Sequence, residues 1–281
     1  MAFSRRFLLN GGVKATIALP LWVQHGLARA ATRPPRRMTP DNAAFREAAG
    51  NRLVVIDPGH GGKDPGCIGA GNIFEKNIAL AAAWDFRHAL ERGGYDVLMT
   101  RSTDVFLPLQ TRVEIAERHK ATLFVSMHAN SVAPDARVRG ASVFTFAKDP
   151  SDPLAARIAR SENGVERLSN PDFHGVSPQV SAILLSLMEH STRAGSLDLQ
   201  NRMVNSLSHR VDMLTNPARH ATFAVLQSAA IPSVLVEMAF LSNPQDEAEL
   251  RTNAFRERVA GSMKSAVDAW FLARRYALAS L

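Results

Sequence analysis

Cysteine is almost absent from this sequence, since Cys67 is the only one among 281 residues. A chain with one cysteine cannot form an internal disulfide, so its fold must rest on a hydrophobic core. Hydrophobic residues make up 46% of the chain, which is close to the usual share in a globular protein. We therefore expect a single globular domain that is stable without covalent cross-links.

The sequence also lacks a basic run interleaved with aromatic residues, which is the pattern typical of nucleic-acid binding. Its formal net charge of +7 depends partly on the first 30 residues, which include four basic residues and no acidic one. Without those residues the net charge falls to +3. We expect no nucleic-acid partner, and the mild positive charge suits an anionic polymer.

The sequence also lacks a long uninterrupted hydrophobic run. Arg5 and Arg6 precede a moderately apolar segment, 11–27, and Ala28-Arg29-Ala30 then places small residues where a signal peptidase cleaves. This pattern predicts a twin-arginine type export signal over residues 1–30. The alternative, a membrane anchor, would need about 20 continuous apolar residues. This segment is interrupted by Lys14, Pro20, Gln24 and His25, so we expect no membrane span in the mature protein.

Residues 31–50 are rich in proline and arginine and predict a flexible leader. From residue 51 onward, short apolar runs alternate with helical patterns. The predicted strands are 53–56, 95–100, 122–130, 141–146, 223–226 and 233–236, and the predicted helices are 75–92, 107–119, 154–168, 177–190, 196–214 and 253–276. This alternation predicts one α/β domain over 51–281, with a mixed, mostly parallel sheet of about six strands and helices on both faces.

The first predicted strand ends in Asp57-Pro58-Gly59-His60-Gly61-Gly62. Proline and glycine break the strand, and the glycines let other groups approach the imidazole of His60 closely. Sheets of this type carry their functional sites at the carboxyl ends of the strands, which makes His60 a candidate ligand or catalyst. From this stretch alone, an incidental histidine at a strand end remains the alternative.

Three further residues are candidates for the same site as His60. His128 ends the third predicted strand, Glu237 ends the last, and Glu75 lies in the first turn of a predicted helix. Two imidazoles and one carboxylate are a common ligand set for catalytic zinc, and a second carboxylate can serve as the proton acceptor. The helical His-Glu-x-x-His pattern is missing, so spacing alone leaves open that these are ordinary structural residues.

Five segments occur in the order of the motifs of one enzyme family. They are 57–66, 75–77, 100–104 with Leu109 and Arg112, 126–130, and 232–237 with 240–244. In these segments the chain resembles the zinc-dependent N-acetylmuramoyl-L-alanine amidases, the type-3 amidase family. The resemblance extends over about residues 52–275, which is nearly all of the expected mature chain.

The resemblance implies that His60, Glu75 and His128 bind one zinc ion and that Glu237 is the catalytic acid/base. The implied substrate is peptidoglycan. The implied reaction cleaves the amide between the lactyl group of N-acetylmuramic acid and the L-alanine of the stem peptide. With the predicted export signal, it implies a periplasmic enzyme of cell-wall remodelling and daughter-cell separation, which we expect to be monomeric.

The segment at about 150–195 resembles the helical autoinhibitory insertion of the cell-division amidases of Gram-negative bacteria. In those relatives a glutamate occupies the open zinc position until an activator with a degenerate peptidase-like domain withdraws it, and Glu162 is the corresponding candidate here. The activator would dock on the 177–190 helix, which has an apolar stripe: Val180, Ile183, Leu184, Leu187 and Met188. The alternatives are a solvated carboxylate for Glu162 and an ordinary core face for the helix.

The chain departs from the family pattern in two places. Cys67 stands where the family usually has a small residue, either as a small apolar substitute or as a reactive or metal-binding thiol. Residues 31–50 are too short for the wall-targeting domain of many exported relatives. Two other functions remain as alternatives: a zinc carboxypeptidase acting on stem peptides, and a non-catalytic wall-binding or regulatory protein. The presence of all the candidate site residues argues against the second.

Overall fold

The computed structural model describes residues 51–69, 71–132, 135–168, 177, 179–180, 183, 186 and 190–279. The predicted export signal, the predicted leader and most of the predicted 177–190 helix lie outside the described residues. No helix within the described ranges combines the length and the apolar character that a membrane span would need.

Six strands form one sheet within the described ranges: β1 (Leu53–Pro58), β2 (Asp96–Met99), β3 (Leu123–Asn130), β4 (Ala141–Phe146), β5 (Met213–Ala221) and β6 (Ser233–Phe240). Their order across the sheet is β2-β1-β3-β6-β4-β5. The first four strands in this order are mutually parallel, whereas β4 is antiparallel to β6 and parallel to β5. The sheet is therefore mixed and mostly parallel, and the predicted fold class is confirmed.

Six α-helices accompany the sheet in the described ranges: α1 (Glu75–Arg92), α2 (Leu109–Arg118), α3 (Pro153–Gly164), α4 (His190–Ser208), α5 (Pro244–Leu250) and α6 (Asn253–Ala279). Helices α1, α4 and α6 bury one face of the sheet, and α2 and α3 bury the other. The central strands serve both cores because successive side chains point to opposite faces. In β1, for example, Val54 and Ile56 belong to the first core and Val55 to the second.

The fifth strand differs from the prediction. The sequence predicted a strand at 223–226, but the structure has a strand at Met213–Ala221 and a 3-10 turn at Ala224–Leu226. β5 is an edge strand with several exposed polar residues and one proline, Pro217, which edge strands tolerate. The buried Phe223 and Leu226 pack into the second core without pairing in the sheet.

Two predicted helices have different bounds in the structure, and one helix was not predicted. The helix predicted at 196–214 is observed at His190–Ser208, because the chain must turn before β5 begins. The helix predicted at 154–168 ends at Gly164 and continues as a 3-10 turn, Val165–Leu168. The sequence interpretation missed α5, which starts after Asn243, whose side chain accepts hydrogen bonds from the first-turn backbone.

Candidate active site

His60 lies two residues beyond the end of β1, at the carboxyl edge of the parallel strands. Its backbone is left-handed, with φ of 58°, which is uncommon for a residue with a side chain. The preceding Gly59 leaves room for a second histidine, since a Cβ atom at that position would lie 2.3 Å from Cε1 of His128. The glycine therefore allows the two imidazoles to approach each other closely.

Two buried arginines hold the carbonyl groups of this loop. Arg112 donates to the carbonyls of Pro58 and His60, each at 2.8 Å. Arg101 donates to the carbonyls of Pro58 at 2.9 Å and of Gly59 at 2.6 Å. Both arginines occur in a segment that carried the family resemblance, but their role in holding this loop was not predicted. We conclude that they support the unusual backbone of His60.

The carboxylate of Asp57 balances the positive charge of Arg112 inside the protein. Its carboxylate accepts hydrogen bonds from Arg112 at 2.9 Å, from Thr100 at 2.6 Å and from Ser126 at 2.8 Å. Burial raises the pKa of Asp57, but the charge and hydrogen bond of Arg112 and the hydroxyl of Thr100 outweigh it, so the pKa lies below its usual value. The aspartate therefore stays ionised next to the site.

Four side chains converge at this edge of the sheet: His60, Glu75, His128 and Glu162. Oε1 of Glu75 lies 3.0 Å from Nε2 of His60 and 2.9 Å from Nδ1 of His128. Oε2 of Glu162 lies 3.2 Å and 3.1 Å from the same two nitrogens. Each of the four is buried, and each directs one ligand atom to a common point.

This cluster fits a zinc ion in its donor types and in its spacing. Tetrahedral zinc with bonds of about 2.0 Å would place its ligand atoms about 3.3 Å apart. The four separations between an imidazole nitrogen and a carboxylate oxygen are 2.9–3.2 Å, and all four ligand atoms lie within 4.8 Å of one another. Nε2 of His60 and Oε2 of Glu162 are also buried without a hydrogen-bond partner among the described residues. Buried polar atoms without a partner are costly, and a metal ion would satisfy both.

Further contacts orient the candidate ligands. Nδ1 of His60 lies 2.7 Å from a carboxylate oxygen of Asp64, and the backbone N–H of Cys67 donates to Oε2 of Glu75 at 2.9 Å. Contacts of this kind fix the tautomer and direction of metal ligands. The thiol of Cys67 donates to the carbonyl of Ala129 at 3.0 Å, and burial and Glu75 raise its pKa. Cys67 lies outside the four-residue cluster, which favours the small-residue interpretation.

The charges of the cluster favour a bound cation. Burial lowers the pKa of His128, but the carboxylates of Glu162 and Glu75 outweigh this effect and raise it to about 10. Burial raises the pKa of Glu75, yet the neighbouring His60 and His128 hold it well below its usual value. Protons on the imidazoles therefore balance the ionised carboxylates of Glu75 and Glu162 in the metal-free cluster, and a divalent cation would displace these protons on binding.

Glu237 lies beside this cluster in β6. Its side chain is fully buried, and neither carboxyl oxygen has a hydrogen-bond partner among the described residues. Burial raises the pKa of Glu237 well above its usual value; His128 opposes this shift, and the carboxylates of Glu162 and Glu75 add to it. A buried carboxyl group whose pKa is raised can hold a proton and release it, as a general acid/base must.

Glu162 reaches the cluster from α3, on the second face of the sheet. The side chain of Asn163 anchors this end of α3, because it donates to the carbonyl of Thr222 at 2.6 Å and accepts from the backbone N–H of Ala224 at 2.8 Å. Glu162 is only 8% exposed. The solvated-carboxylate alternative for this residue is therefore inconsistent with the structure.

The fold and this cluster define an α/β enzyme class with a candidate metal centre at the carboxyl edge of its parallel strands. The sequence profile of the family described as N-acetylmuramoyl-L-alanine amidase matches residues 54–269. The amidase AmiA of Escherichia coli (strain K12) is 35% identical over 227 residues, covering 80% of this chain and 78% of that protein. AmiC of Neisseria meningitidis serogroup B is 35% identical over 217 residues, which cover 77% of this chain and 52% of that protein.

Solved structures show the same relationship. The amidase AmiC2 of Nostoc punctiforme superposes with a TM-score of 0.58 at 29% identity, covering 79% of this chain and 98% of that one. The catalytic domain of the amidase CwlV from Bacillus (Paenibacillus) polymyxa var. colistinus gives a TM-score of 0.57 at 26% identity, covering 78% and 97%. The chain belongs to the N-acetylmuramoyl-L-alanine amidase family, and the prediction of an enzyme of this class is confirmed.

Proposed function

We propose that this protein is a zinc-dependent, periplasmic N-acetylmuramoyl-L-alanine amidase that releases stem peptides from peptidoglycan during wall remodelling and daughter-cell separation. The observation that carries the proposal is the convergence of two imidazoles and two carboxylates at one buried point next to Glu237. In this proposal His60, Glu75 and His128 hold the metal. The predicted export signal supports the location.

Each residue of the site has a defined task in the proposed reaction. Bound zinc would polarise the scissile carbonyl and lower the pKa of the attacking water. Glu237 accepts a proton from that water at its carboxylate and then delivers it to the amine of the departing L-alanine. Arg101 and Arg112 keep the His60 loop in place through its carbonyls.

We further propose that Glu162 inhibits the enzyme in its resting state. One of its carboxylate oxygens lies 3.2 Å and 3.1 Å from the imidazole nitrogens of His60 and His128, where it would compete with water or substrate for a metal held by the other three residues. A protein activator would withdraw it by docking on the 177–190 helix. Val180 and Ile183, which belong to the predicted apolar stripe, are 47% and 57% exposed, and this exposure supports a docking surface over a core face.

The test uses the protein from Ala31 onward, incubated with purified sacculi and zinc, with soluble products identified by mass spectrometry. Wild type, Glu162→Ala and Glu237→Gln are compared. We expect abundant intact stem peptides from Glu162→Ala, little release from wild type and none from Glu237→Gln. Release of single terminal amino acids would indicate the carboxypeptidase alternative. No product from any variant with zinc bound would favour the non-catalytic alternative.

A further inference from the structure

Ser142 lies within β4, and its side chain is completely buried. Its Oγ atom has no hydrogen-bond partner among the described residues. Burying a hydroxyl group without a partner is unfavourable, and an alanine at this position would avoid that cost. Features that lower stability in this way are expected mainly at functional sites, so the neighbours of Ser142 decide how it is interpreted.

Ser142 is the direct neighbour of Glu237 across the sheet. The two residues are paired in the antiparallel register of β4 with β6. Phe144 and Leu235, which form a pair two residues further along the same strands, both belong to the second core. Because alternate residues of a strand point to the same face, the side chains of Ser142 and Glu237 also point to that face. The hydroxyl and the carboxyl group are therefore on one side of the sheet.

On its other side, Glu237 is paired with His128 in the parallel register of β3 with β6. His128, Glu237 and Ser142 thus form one row across three neighbouring strands. Directly opposed residues of an antiparallel pair have Cβ atoms about 4.5–5.5 Å apart. At this separation the hydroxyl of Ser142 can reach the carboxyl group of Glu237 by a change of rotamer, and its hydrogen can rotate toward either oxygen.

The carboxyl group of Glu237 needs such a donor. Both of its oxygens are buried, and neither has a hydrogen-bond partner among the described residues. A general base must present one oxygen to the attacking water in a fixed direction. A hydroxyl group that donates to one oxygen would fix this direction and leave the other oxygen available for the proton. Among the described residues, Ser142 has a buried hydroxyl that is both unpartnered and directly opposite Glu237.

We propose that Ser142 is a positioning residue for Glu237. During the reaction its hydroxyl donates a hydrogen bond to one carboxylate oxygen of Glu237, and the other oxygen accepts the proton of the attacking water. This inference rests on the proposed function. Ser142 contacts neither the metal nor the substrate and acts through Glu237 alone. The lower stability that its unpartnered hydroxyl causes in the resting enzyme is then offset by faster proton transfer in the active enzyme.

The first test compares Ser142→Ala with its parent in the Glu162→Ala background, with a soluble muropeptide as substrate. We expect kcat to fall about 10–100-fold, which is the usual effect of losing a hydrogen bond to a charged group. KM and zinc content should not change, because the hydroxyl contacts neither substrate nor metal. The melting temperature should stay equal or rise, because the variant no longer buries an unpartnered hydroxyl. A lower melting temperature or a lower zinc content together with the lower kcat would indicate a structural role and reject the proposal.

Ser142→Thr tests whether the hydroxyl itself is needed. Threonine restores the hydroxyl but adds a methyl group at a completely buried position. Since overpacking destabilises a core, this variant should be less stable than Ser142→Ala and yet have the higher kcat. This opposite order of stability and activity separates positioning from packing.

Ser262→Ala is the matched control. Oγ of Ser262 is also buried without a partner among the described residues, but it lies in α6, which packs on the other face of the sheet. Its removal should likewise keep or raise the melting temperature, and kcat should not change. A similar loss of kcat in Ser262→Ala would show that the effect is not specific to the neighbour of Glu237, and it would reject the proposal.

The last comparison combines Ser142→Ala with Glu237→Gln and measures the residual kcat at high enzyme concentration. If the serine acts through the glutamate, Ser142→Ala should cause no further loss in the Glu237→Gln background. Additive losses, or a kcat of Ser142→Ala equal to that of the parent, would overturn the positioning role and leave the amidase function intact. If the parent itself releases no stem peptide, the proposed amidase function is rejected, and the positioning role with it.

Discussion

His128 and Glu237 lie directly opposite each other in the parallel pairing of β3 with β6. Neighbouring strands are about 4.8 Å apart, so this register alone brings a candidate metal ligand next to the candidate acid/base. Both side chains are buried. Two central strands therefore determine the relative position of these two candidate site residues.

Glu237→Gln tests the proton-transfer role. The substitution keeps the volume of a fully buried side chain but removes its ability to accept a proton. We expect kcat to fall by about 10²–10⁴-fold, the usual contribution of a general acid/base, with zinc content and melting temperature unchanged. Glu257→Gln, on the exposed surface of α6, is the control and should retain full activity. Activity within tenfold of the parent enzyme would exclude the assigned role.

Removal of the metal should destabilise the fold. A ligand that binds only the folded state stabilises it by about 4 kcal/mol at a thousandfold excess over its dissociation constant. We therefore expect a chelator to lower the melting temperature and added zinc to restore it. His128→Gln should abolish this zinc-dependent shift, whereas His209→Gln, at an exposed position, should preserve it. If neither the chelator nor added zinc changes the melting temperature of the wild-type protein, the metal site is contradicted.

Gly59→Ala should weaken metal binding without affecting the core. Its new Cβ atom would lie 2.3 Å from Cε1 of His128 and would displace the imidazole. We expect zinc affinity, measured by chelator competition, to fall by about 10–100-fold. Gly261→Ala is the paired control, because a Cβ atom there meets nothing within 4 Å, and in a helix it should stabilise the protein by about 1 kcal/mol. Equal zinc affinities in the two variants would refute this account of Gly59.

Asp57→Asn should change how stability depends on pH. The pKa of Asp57 is lower in the folded protein than in the unfolded chain, so its stabilising contribution is present above about pH 4. It is lost as the pH falls through the folded-state pKa. At pH 7 we expect the variant to lose about 3–5 kcal/mol, because Arg112 is left as an unpaired buried charge. In denaturant titrations, the difference in unfolding free energy between wild type and variant should become smaller below pH 4. A difference that does not change with pH would argue against loss of the ion pair as its cause.

Asn163→Ala should loosen the resting position of Glu162. The substitution removes both hydrogen bonds that fasten the end of α3 to the loop after β5. Loss of buried hydrogen bonds costs about 1–3 kcal/mol, so basal amidase activity should rise about tenfold if Glu162 is inhibitory. Asn205→Ala, on the exposed side of α4, is the control. Faster hydrogen exchange in α3 without increased activity would show that Asn163 anchors the helix but that Glu162 does not inhibit the enzyme.

The sequence predicted the central elements well. The predicted fourth strand, 141–146, has the same bounds in the structure, and the predicted 122–130 strand differs from β3 by one residue. These strands are buried on both faces, so their apolar runs are continuous and easily recognised. The edge strand β5 has no such run, because one side of it faces solvent and Pro217 interrupts it.

The sequence predicted His60, Glu75 and His128 as ligands because they belong to ordered motifs. It did not predict the contacts that support them. The capping of α2 by Glu166 joins residues 57 positions apart, and local spacing carries no signal for it. Pro108 cannot cap a helix with a side-chain hydrogen bond, so the sequence indicated that α2 lacks a local cap, but it did not indicate which residue supplies one.

The sequence by itself determined the α/β alternation, the strand ends that carry His60 and His128, and the family motifs, because these depend on the periodicity and order of nearby residues. Only the tertiary structure decided that Glu162 meets the two histidines, that Glu237 lies opposite His128, and that two arginines hold the His60 loop. Such contacts depend on strand order and on the packing of helices against the sheet. Those arrangements are set by the burial of the whole core and not by any local segment.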